Sequence, residues 1–186
     1  MPEDISGPAL AALDSLSGAD TAWVMVSTAL VLLMTLPGIG LFYGGMVRRF
    51  NALNTMASVM AIAALVSVLW FAIAYSLAFT PGGELGGFIG GLSRAGFAGL
   101  GYFGPDGQVA VSHLAPRLPE SVFALFQLSF AVITCALVVG ALVERMKFGA
   151  LLGFAGLWLL LVYAPIAHWV WEPGGWLAQL GALDFA

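Results

Sequence analysis

Four long apolar stretches dominate the pattern of hydrophobic and polar positions along the 186-residue chain. A helix needs about 20 apolar residues to cross a bilayer, and each of these stretches is long enough. None of them contains Asp, Glu, Lys or Arg. Because the bilayer core offers no water to backbone groups, each stretch is predicted to be a helix. The predicted spans cover residues 21–47, 52–79, 121–143 and 148–171.

Proline and acidic residues mark the ends of the predicted helices. Pro37 and Pro165 lie inside the first and fourth spans, and each is expected to kink its helix near one end because proline has no N–H. Asp20 precedes the first span, where its carboxylate is expected to accept hydrogen bonds from free backbone N–H groups. Pro119 and Glu120 precede the third span, where proline and a negative charge favour helix initiation.

The composition indicates a membrane protein and excludes ordinary soluble domains. Hydrophobic residues make up 61% of the chain and charged residues 9%, whereas a soluble domain carries roughly 25% charged residues. The chain is therefore predicted to be an all-α membrane protein, a polytopic bundle of four transmembrane helices. Residues 1–20 are acidic and lack the basic start of a signal peptide, so the first span is expected to be retained.

The basic residues predict the orientation of the bundle. Four of the six basic residues lie in the two short loops that join spans one and two and spans three and four: Arg48, Arg49, Arg145 and Lys147. The positive-inside rule places both loops in the cytoplasm of a multi-pass protein of the cell membrane. The N-terminal segment 1–19 is then extracytoplasmic. The Gly-rich loop 80–120 lies on the same side and is expected to form a structured cap.

Few residues suit catalysis or metal binding. His113 lies in the loop and His168 near the end of the fourth span, without carboxylates at ligand spacing, so no metal site is expected. Cys135 is alone in an apolar stretch and is expected to be a packing residue. No span contains a catalytic pair, no Gly-rich phosphate loop follows a strand, and no basic stripe suggests nucleic acid. We therefore expect neither an enzyme nor a cofactor.

One face of the third span carries an aromatic pattern. Phe126 and Phe130 are four residues apart and share a helix face, and Leu137 follows deeper on the same stripe. Trp171 ends the fourth span at a similar depth to the Phe rings. Such a cluster at the mouth of a pathway can hold a small cation by cation–π attraction, at about 0.5–2 kcal/mol per contact. Aromatic residues also form ordinary interfacial belts and lipid-facing surfaces, so both interpretations stay open here.

Three stretches of the chain resemble one transporter family. They are "TALVLLMTLPGIGLFYGGMVRRFNAL", "FQLSFAVITCALVVGALVERMKF" and "YAPIAHWVWEPGGWLAQLGALDFA". In order and in register they resemble the ammonium transporter (Amt/Mep/Rh) family over residues 20–186, most weakly in the loop. The resemblance implies a bundle of about eleven transmembrane helices built from two inverted halves. It also implies a homotrimer with a pore in each subunit.

The resemblance implies roles for individual residues as well. Trp171 and Phe126 match a vestibule that recruits ammonium, and Phe130 matches the first Phe gate. Asp184 matches a buried Asp that supports the ammonium site by organising nearby backbone, without binding the cation itself. Further candidates for lining the pore are Leu137, Ile39 and Phe42.

The family's first pore histidine follows the "GALDFA" motif, whereas this sequence ends at Ala186. Neither His113 nor His168 matches that histidine. We expect four helices of one half and the start of a fifth, in a fragment that does not conduct ammonium alone. Two alternatives remain: an ammonium-sensing module of a signalling protein, or a short regulatory partner of full-length transporters. The expected partners are ammonium or ammonia, the lipid bilayer and, as an open alternative, a cytoplasmic regulatory protein.

Expression of the 186-residue chain in cells that lack ammonium uptake tests this expectation. We expect no growth on limiting ammonium. An ammonium ion must lose a proton to enter an apolar pore, and the histidines that handle this proton in the family are not among these residues. Cells that express a full-length ammonium transporter serve as the positive control. Growth supported by the 186-residue chain alone would contradict the expectation.

Overall fold

Four helices that are long and apolar enough to cross a membrane form the body of the structure. This computed structural model describes residues 9–101 and 107–184 of the chain. The first three helices are α1 (Gly18–Met46), α2 (Arg49–Phe79) and α3 (Glu120–Leu142). The fourth, α4, runs from Phe148 to Trp171, and the short α5 (Trp176–Gln179) follows it. The predicted polytopic bundle with four spanning helices is confirmed.

Three of the spanning helices described here contain a π-helical turn. The turns cover Met34–Ile39 in α1, Trp70–Ala74 in α2 and Leu159–Tyr163 in α4. Pro37 lies inside the first turn, and Pro165 lies just after the third. Since proline has no N–H to donate, the regular hydrogen-bond ladder is interrupted at both places. The turn in α2 contains no proline, and the hydrophobic pattern did not predict it.

The helix α1 begins earlier than predicted, and a different residue caps it. Ser17 is the N-cap, and its Oγ accepts a hydrogen bond from the backbone N–H of Asp20 at 3.1 Å. Asp20 lies in the first turn, where its Oδ2 is 3.3 Å from Nη2 of Arg117. The prediction that Asp20 caps the helix was wrong, because a serine three residues earlier already accepts from the free N–H.

A three-stranded antiparallel sheet closes one end of the bundle. Its strands are β1 (Ala9–Ala12), β2 (Gln108–Ser112) and β3 (Ala115–Pro119), in that order. Ala9 lies opposite Val111, so the strand before α1 pairs with the segment between α2 and α3. The strands β2 and β3 form a hairpin with an irregular register at its turn. The sequence predicted a folded cap here but not a sheet.

The two ends of the bundle are called the sheet end and the basic end. The basic end contains the loops between α1 and α2 and between α3 and α4. There Glu144 Oε1 accepts hydrogen bonds from Asn51 Nδ2 at 2.9 Å and from the backbone N–H of Arg48 at 3.3 Å. These two bonds hold the pKa of the Glu144 carboxyl below its usual range. A single carboxylate therefore connects both loops.

The helix α2 lies at the centre of the bundle and packs against α1, α3 and α4. Its fully buried side chains include Val59, Val66 and Trp70. By contrast, α1 buries few side chains, and large apolar ones such as Trp23 and Leu33 stay exposed. In a membrane protein such faces are covered by lipid or by further protein rather than by water.

Gly90 lies where the chain after α2 folds back on the end of that helix. Its N–H donates to the carbonyl of Leu77 at 2.8 Å. A Cβ at this position would come within 2.6–2.7 Å of the carbonyl oxygens of Ser76, Leu77 and Thr80. Gly90→Ala is expected to lower the free energy of unfolding by about 1–3 kcal/mol, since backbone atoms must move.

Gly87→Ala is the matched control for this substitution, because no atom lies within 4 Å of the added Cβ. We expect it to leave the thermal unfolding midpoint of the chain in detergent nearly unchanged. Equal destabilisation by the two alanine variants would show that close backbone contact does not explain the glycine.

Candidate functional site

A cleft at the sheet end brings together α3, α4 and the stretch after α5. It has a volume of about 180 Å³ and is lined by Phe126, Gln127, Phe130, Trp171 and Asp184. Four of these five residues were singled out in the sequence, and they are neighbours in the structure. Gln127 was missed, although its place beside Phe126 on the same helix was a usable signal.

The aromatic rings of the cleft are held by other rings. Phe126 and Phe130 meet edge to face with their centroids 5.0 Å apart, as expected for residues one turn apart on α3. Trp171 stacks on Phe79 with a centroid distance of 5.8 Å and an interplanar angle of 5°. Phe79 is buried and also contacts Phe123, at 5.4 Å. The end of α2 therefore sets the position of the Trp171 ring.

Asp184 lies beside Trp171 in the structure. The indole Nε1–H of Trp171 donates a hydrogen bond to Asp184 Oδ2. Asp184 is exposed, and the predicted start of a fifth spanning helix lies outside the described residues. Its role in organising the backbone of a following helix stays a prediction. What the geometry adds is a carboxylate at the rim of the aromatic cleft.

A second cleft adjoins the first and shares Trp171 and Asp184 with it. Its volume is about 130 Å³, and its other lining residues are Tyr163, Ile166, Ala167 and Val170. The Tyr163 hydroxyl is buried and has no hydrogen-bond partner within the described ranges. Sequence reasoning missed Tyr163, because a tyrosine in an apolar span carries no signal until its surroundings are known.

The three further pore-lining candidates do not line the aromatic cleft. Ile39 is buried in the core, whereas Leu137 and Phe42 are 51% and 62% exposed. Leu137 and Phe42 both lie beside Tyr43, whose hydroxyl donates to the Leu137 carbonyl at 2.9 Å and whose ring centroid is 5.3 Å from that of Phe42. Both residues therefore lie near Tyr43, where α1 meets α3, and neither lines the cleft that contains Trp171.

The buried His168 connects α4 to the segment after α2. Its Nδ1 lies 3.2 Å from the carbonyl oxygen of Ala78, and its Nε2 lies 2.7 Å from that of Gly86. This fits the sequence interpretation of a hydrogen-bonded histidine. Within residues 9–101 and 107–184, no three His, Cys, Asp or Glu side chains gather where they could hold a metal ion.

A buried ion pair fixes the start of the helix that carries the Phe rings. Arg94 Nε donates to Glu120 Oε1 at 2.9 Å, and both side chains are at least nine-tenths buried. The Tyr75 hydroxyl donates to the same oxygen at 3.1 Å. Glu120 is the first residue of α3 and lies less than two turns before Phe126. The sequence marked Glu120 as a helix-start residue but did not identify its partners.

Known proteins resemble this chain over most of its length. Residues 22–186 match the profile of the Ammonium Transporter Family. The chain belongs to the ammonium transporter family. A putative ammonium transporter of Methanothermobacter thermautotrophicus is 47% identical over 173 residues, covering 92% of this chain and 40% of that protein. An ammonium transporter of Bacillus subtilis is 48% identical over 167 residues, covering 90% of this chain and 38% of the relative.

The same fold is found in solved structures of this family. The crystal structure of Saccharomyces cerevisiae Mep2 matches with a TM-score of 0.79 and 39% identity, covering 92% of this chain and 37% of that protein. The helical bundle is thus consistent with part of the ammonium transporter fold. The chain spans 38–40% of the length of the two transporter relatives named above.

Loss of the buried guanidinium tests how strongly the ion pair supports the site. Arg94→Met leaves the Glu120 carboxylate buried without a counter-charge, and we expect the free energy of unfolding to fall by about 3–5 kcal/mol. Arg117→Met removes the exposed pair with Asp20, whose side chains are 70% and 50% exposed. That control is expected to cost at most about 1 kcal/mol. Chemical unfolding in one detergent measures the free energy of unfolding of both variants. A similar decrease in the two would exclude a special role for the buried pair.

Proposed function

We propose that this chain forms the ammonium-recruiting mouth of a transport pathway across the cell membrane. The observation that carries the proposal is the convergence of Phe126, Phe130, Trp171 and the Asp184 carboxylate on one cleft in a member of the ammonium transporter family. Transport of ammonium is the activity that the names of the relatives state for those proteins.

The chemistry of the cleft suits a small monovalent cation. Ammonium is strongly hydrated, and moving it bare into an apolar medium is costly. Aromatic faces recover part of this cost, at about 0.5–2 kcal/mol for each well-placed ring. A carboxylate at the rim adds a negative potential that raises the local cation concentration. In this proposal Trp171 and Phe126 hold the cation, Phe130 gates the way inward, and Asp184 supports the site.

The remaining parts of the pathway follow from the same proposal. Beyond the gate, the narrow apolar route passes neutral ammonia, because deprotonation removes the desolvation cost of the charge. Leu137, Ile39 and Phe42 are the proposed lining residues toward the basic end, where two of them have exposed side chains. In this proposal the sheet end and the N-terminal segment 1–19 face outward. The arginines and the lysine in the loops of the basic end are the argument for this orientation, because basic loops stay in the cytoplasm.

The proposed assembly is a homotrimer in the full-length form, with a cytoplasmic regulatory protein as an alternative partner at the basic end. The exposed apolar side chains of α1, including Trp23 and Leu33, support further protein contacts in the membrane. Large apolar surfaces of this kind are covered by lipid or by partners.

Binding of ammonium to the purified chain in lipid nanodiscs tests the mouth. Saturation-transfer NMR with ¹⁵N-ammonium chloride is expected to detect weak binding that Trp171→Leu weakens about 2- to 30-fold, the equivalent of one lost cation–π contact. Trp176→Leu is the matched control, because Trp176 packs on Trp169 at 5.7 Å and does not line the cleft. Equal weakening by both variants would argue against a vestibule at Trp171.

Uptake of labelled methylammonium tests the transport function in cells. The source cells are first deprived of their other ammonium-uptake genes, and the complete gene that contains this coding sequence is then deleted. We expect uptake to fall to the background level. Uptake that is unchanged by the deletion would refute transport while leaving the binding measurement interpretable.

A further inference from the structure

A histidine–carboxylate contact joins the sheet to the end of the helix that carries Trp171. His113 lies in the turn between β2 and β3, and its Nε2 is 2.9 Å from Oε2 and 3.0 Å from Oε1 of Glu172. Glu172 directly follows Trp171 as the C-cap of α4, and its side chain is only 7% exposed. A buried carboxylate needs a partner, and the hairpin supplies it.

The other charges around His113 come from each element packed nearby. They are Glu120 at the start of α3 and Arg94 in the segment between α2 and β2. These two form their own ion pair at 2.9 Å, and Tyr75 of α2 donates to the same Glu120 oxygen. Within the described part of the chain, His113 is therefore the side chain that can supply a positive charge to Glu172, and it does so only when protonated.

A cavity borders this histidine, whose side chain is 40% exposed. It has a volume of about 260 Å³ and is lined by His113, Arg94, Glu120 and Phe79, among others. That volume is large enough for several water molecules. Phe79 is also the ring on which Trp171 stacks. His113 and the ring that supports Trp171 therefore line the same cavity.

The sign of the pH effect follows from the environment of His113. The hydrogen bond to Glu172 raises the pKa of the imidazole above its ordinary value near 6.5, and partial burial opposes this only in part. The group gains its stabilisation when protonated. The contribution is therefore fully present below the free-imidazole pKa and is lost as the pH rises through the raised value.

We propose that His113 and Glu172 form a pH-sensitive clamp that fastens the β2–β3 hairpin to the end of α4 beside Trp171. When His113 is charged, the clamp is an ion pair with a charge-assisted hydrogen bond. When it is neutral, Nε2–H still donates to the carboxylate, but the buried Glu172 has lost its counter-charge. The hairpin is then held more weakly.

Histidine NMR tests the ion pair directly. The chain contains 2 histidines, so ¹³C-labelled histidine gives two sets of imidazole signals from the purified chain in detergent. We expect the pKa of His113 to fall in Glu172→Gln, since the charged partner is gone while burial remains. The signals of His168, which faces backbone carbonyl oxygens, are expected to stay unchanged and to report that the variant is folded. Arg117→Gln is the control that should leave the pKa of His113 in place.

Hydrogen exchange tests the clamp itself. After correction for intrinsic exchange rates, the protection of the β2 and β3 amides should fall as the pH rises through the measured pKa of His113. In His113→Gln that protection should not depend on pH. An unchanged pKa in Glu172→Gln overturns the proposal, as does hairpin protection that does not follow the titration. Neither readout involves ammonium. A negative result for the clamp therefore leaves the proposed ammonium function untouched, and a negative result for ammonium binding leaves the clamp untouched.

Discussion

The indole of Trp70 is fully buried and contacts the rings of Tyr75, Phe79 and Tyr163 at 5.9–6.3 Å. Its Nε1–H donates to the carbonyl of Ala124 at 3.1 Å. One side chain of α2 therefore packs against α4 and bonds to the backbone of α3. Since tightly packed rings have few alternative arrangements, this cluster fixes the distance between the two helices whose residues line the aromatic cleft.

Polar contacts then attach the non-helical chain to this aromatic base. Ser76 Oγ donates to the carbonyl of Gly91 at 2.7 Å and accepts from the backbone N–H of Arg94 at 3.0 Å. The carbonyl of Gly86 faces the buried ring of His168. In a membrane protein, buried backbone groups outside helices need such partners. The cleft therefore depends on the apolar packing between the helices and on the hydrogen bonds that hold the non-helical segments against them.

The sequence predicted the helices well and their long-range contacts poorly. A span free of charged residues must become a helix in a bilayer, and the spacing of Phe126 and Phe130 alone puts them on one face. The partnership of Arg94 with Glu120 joins separate segments, and no local pattern signals it. The sheet is equally hidden, since "QVAVS" and "APRLP" are short and pair with a strand from the start of the chain. The apolar run begins after Ser17, so the hydrophobic pattern alone does not identify this serine as the cap of α1.

The pairing of β1 with β2 has a consequence for the order of folding. Ala9 pairs with Val111, so two complete spanning helices are synthesised before the first strand meets its partner. Contacts between residues so distant in sequence form late, because a long loop must close first. During synthesis β1 therefore has no strand to pair with while α1 and α2 enter the bilayer. The sheet therefore forms only after the first two helices are complete and cannot guide their insertion.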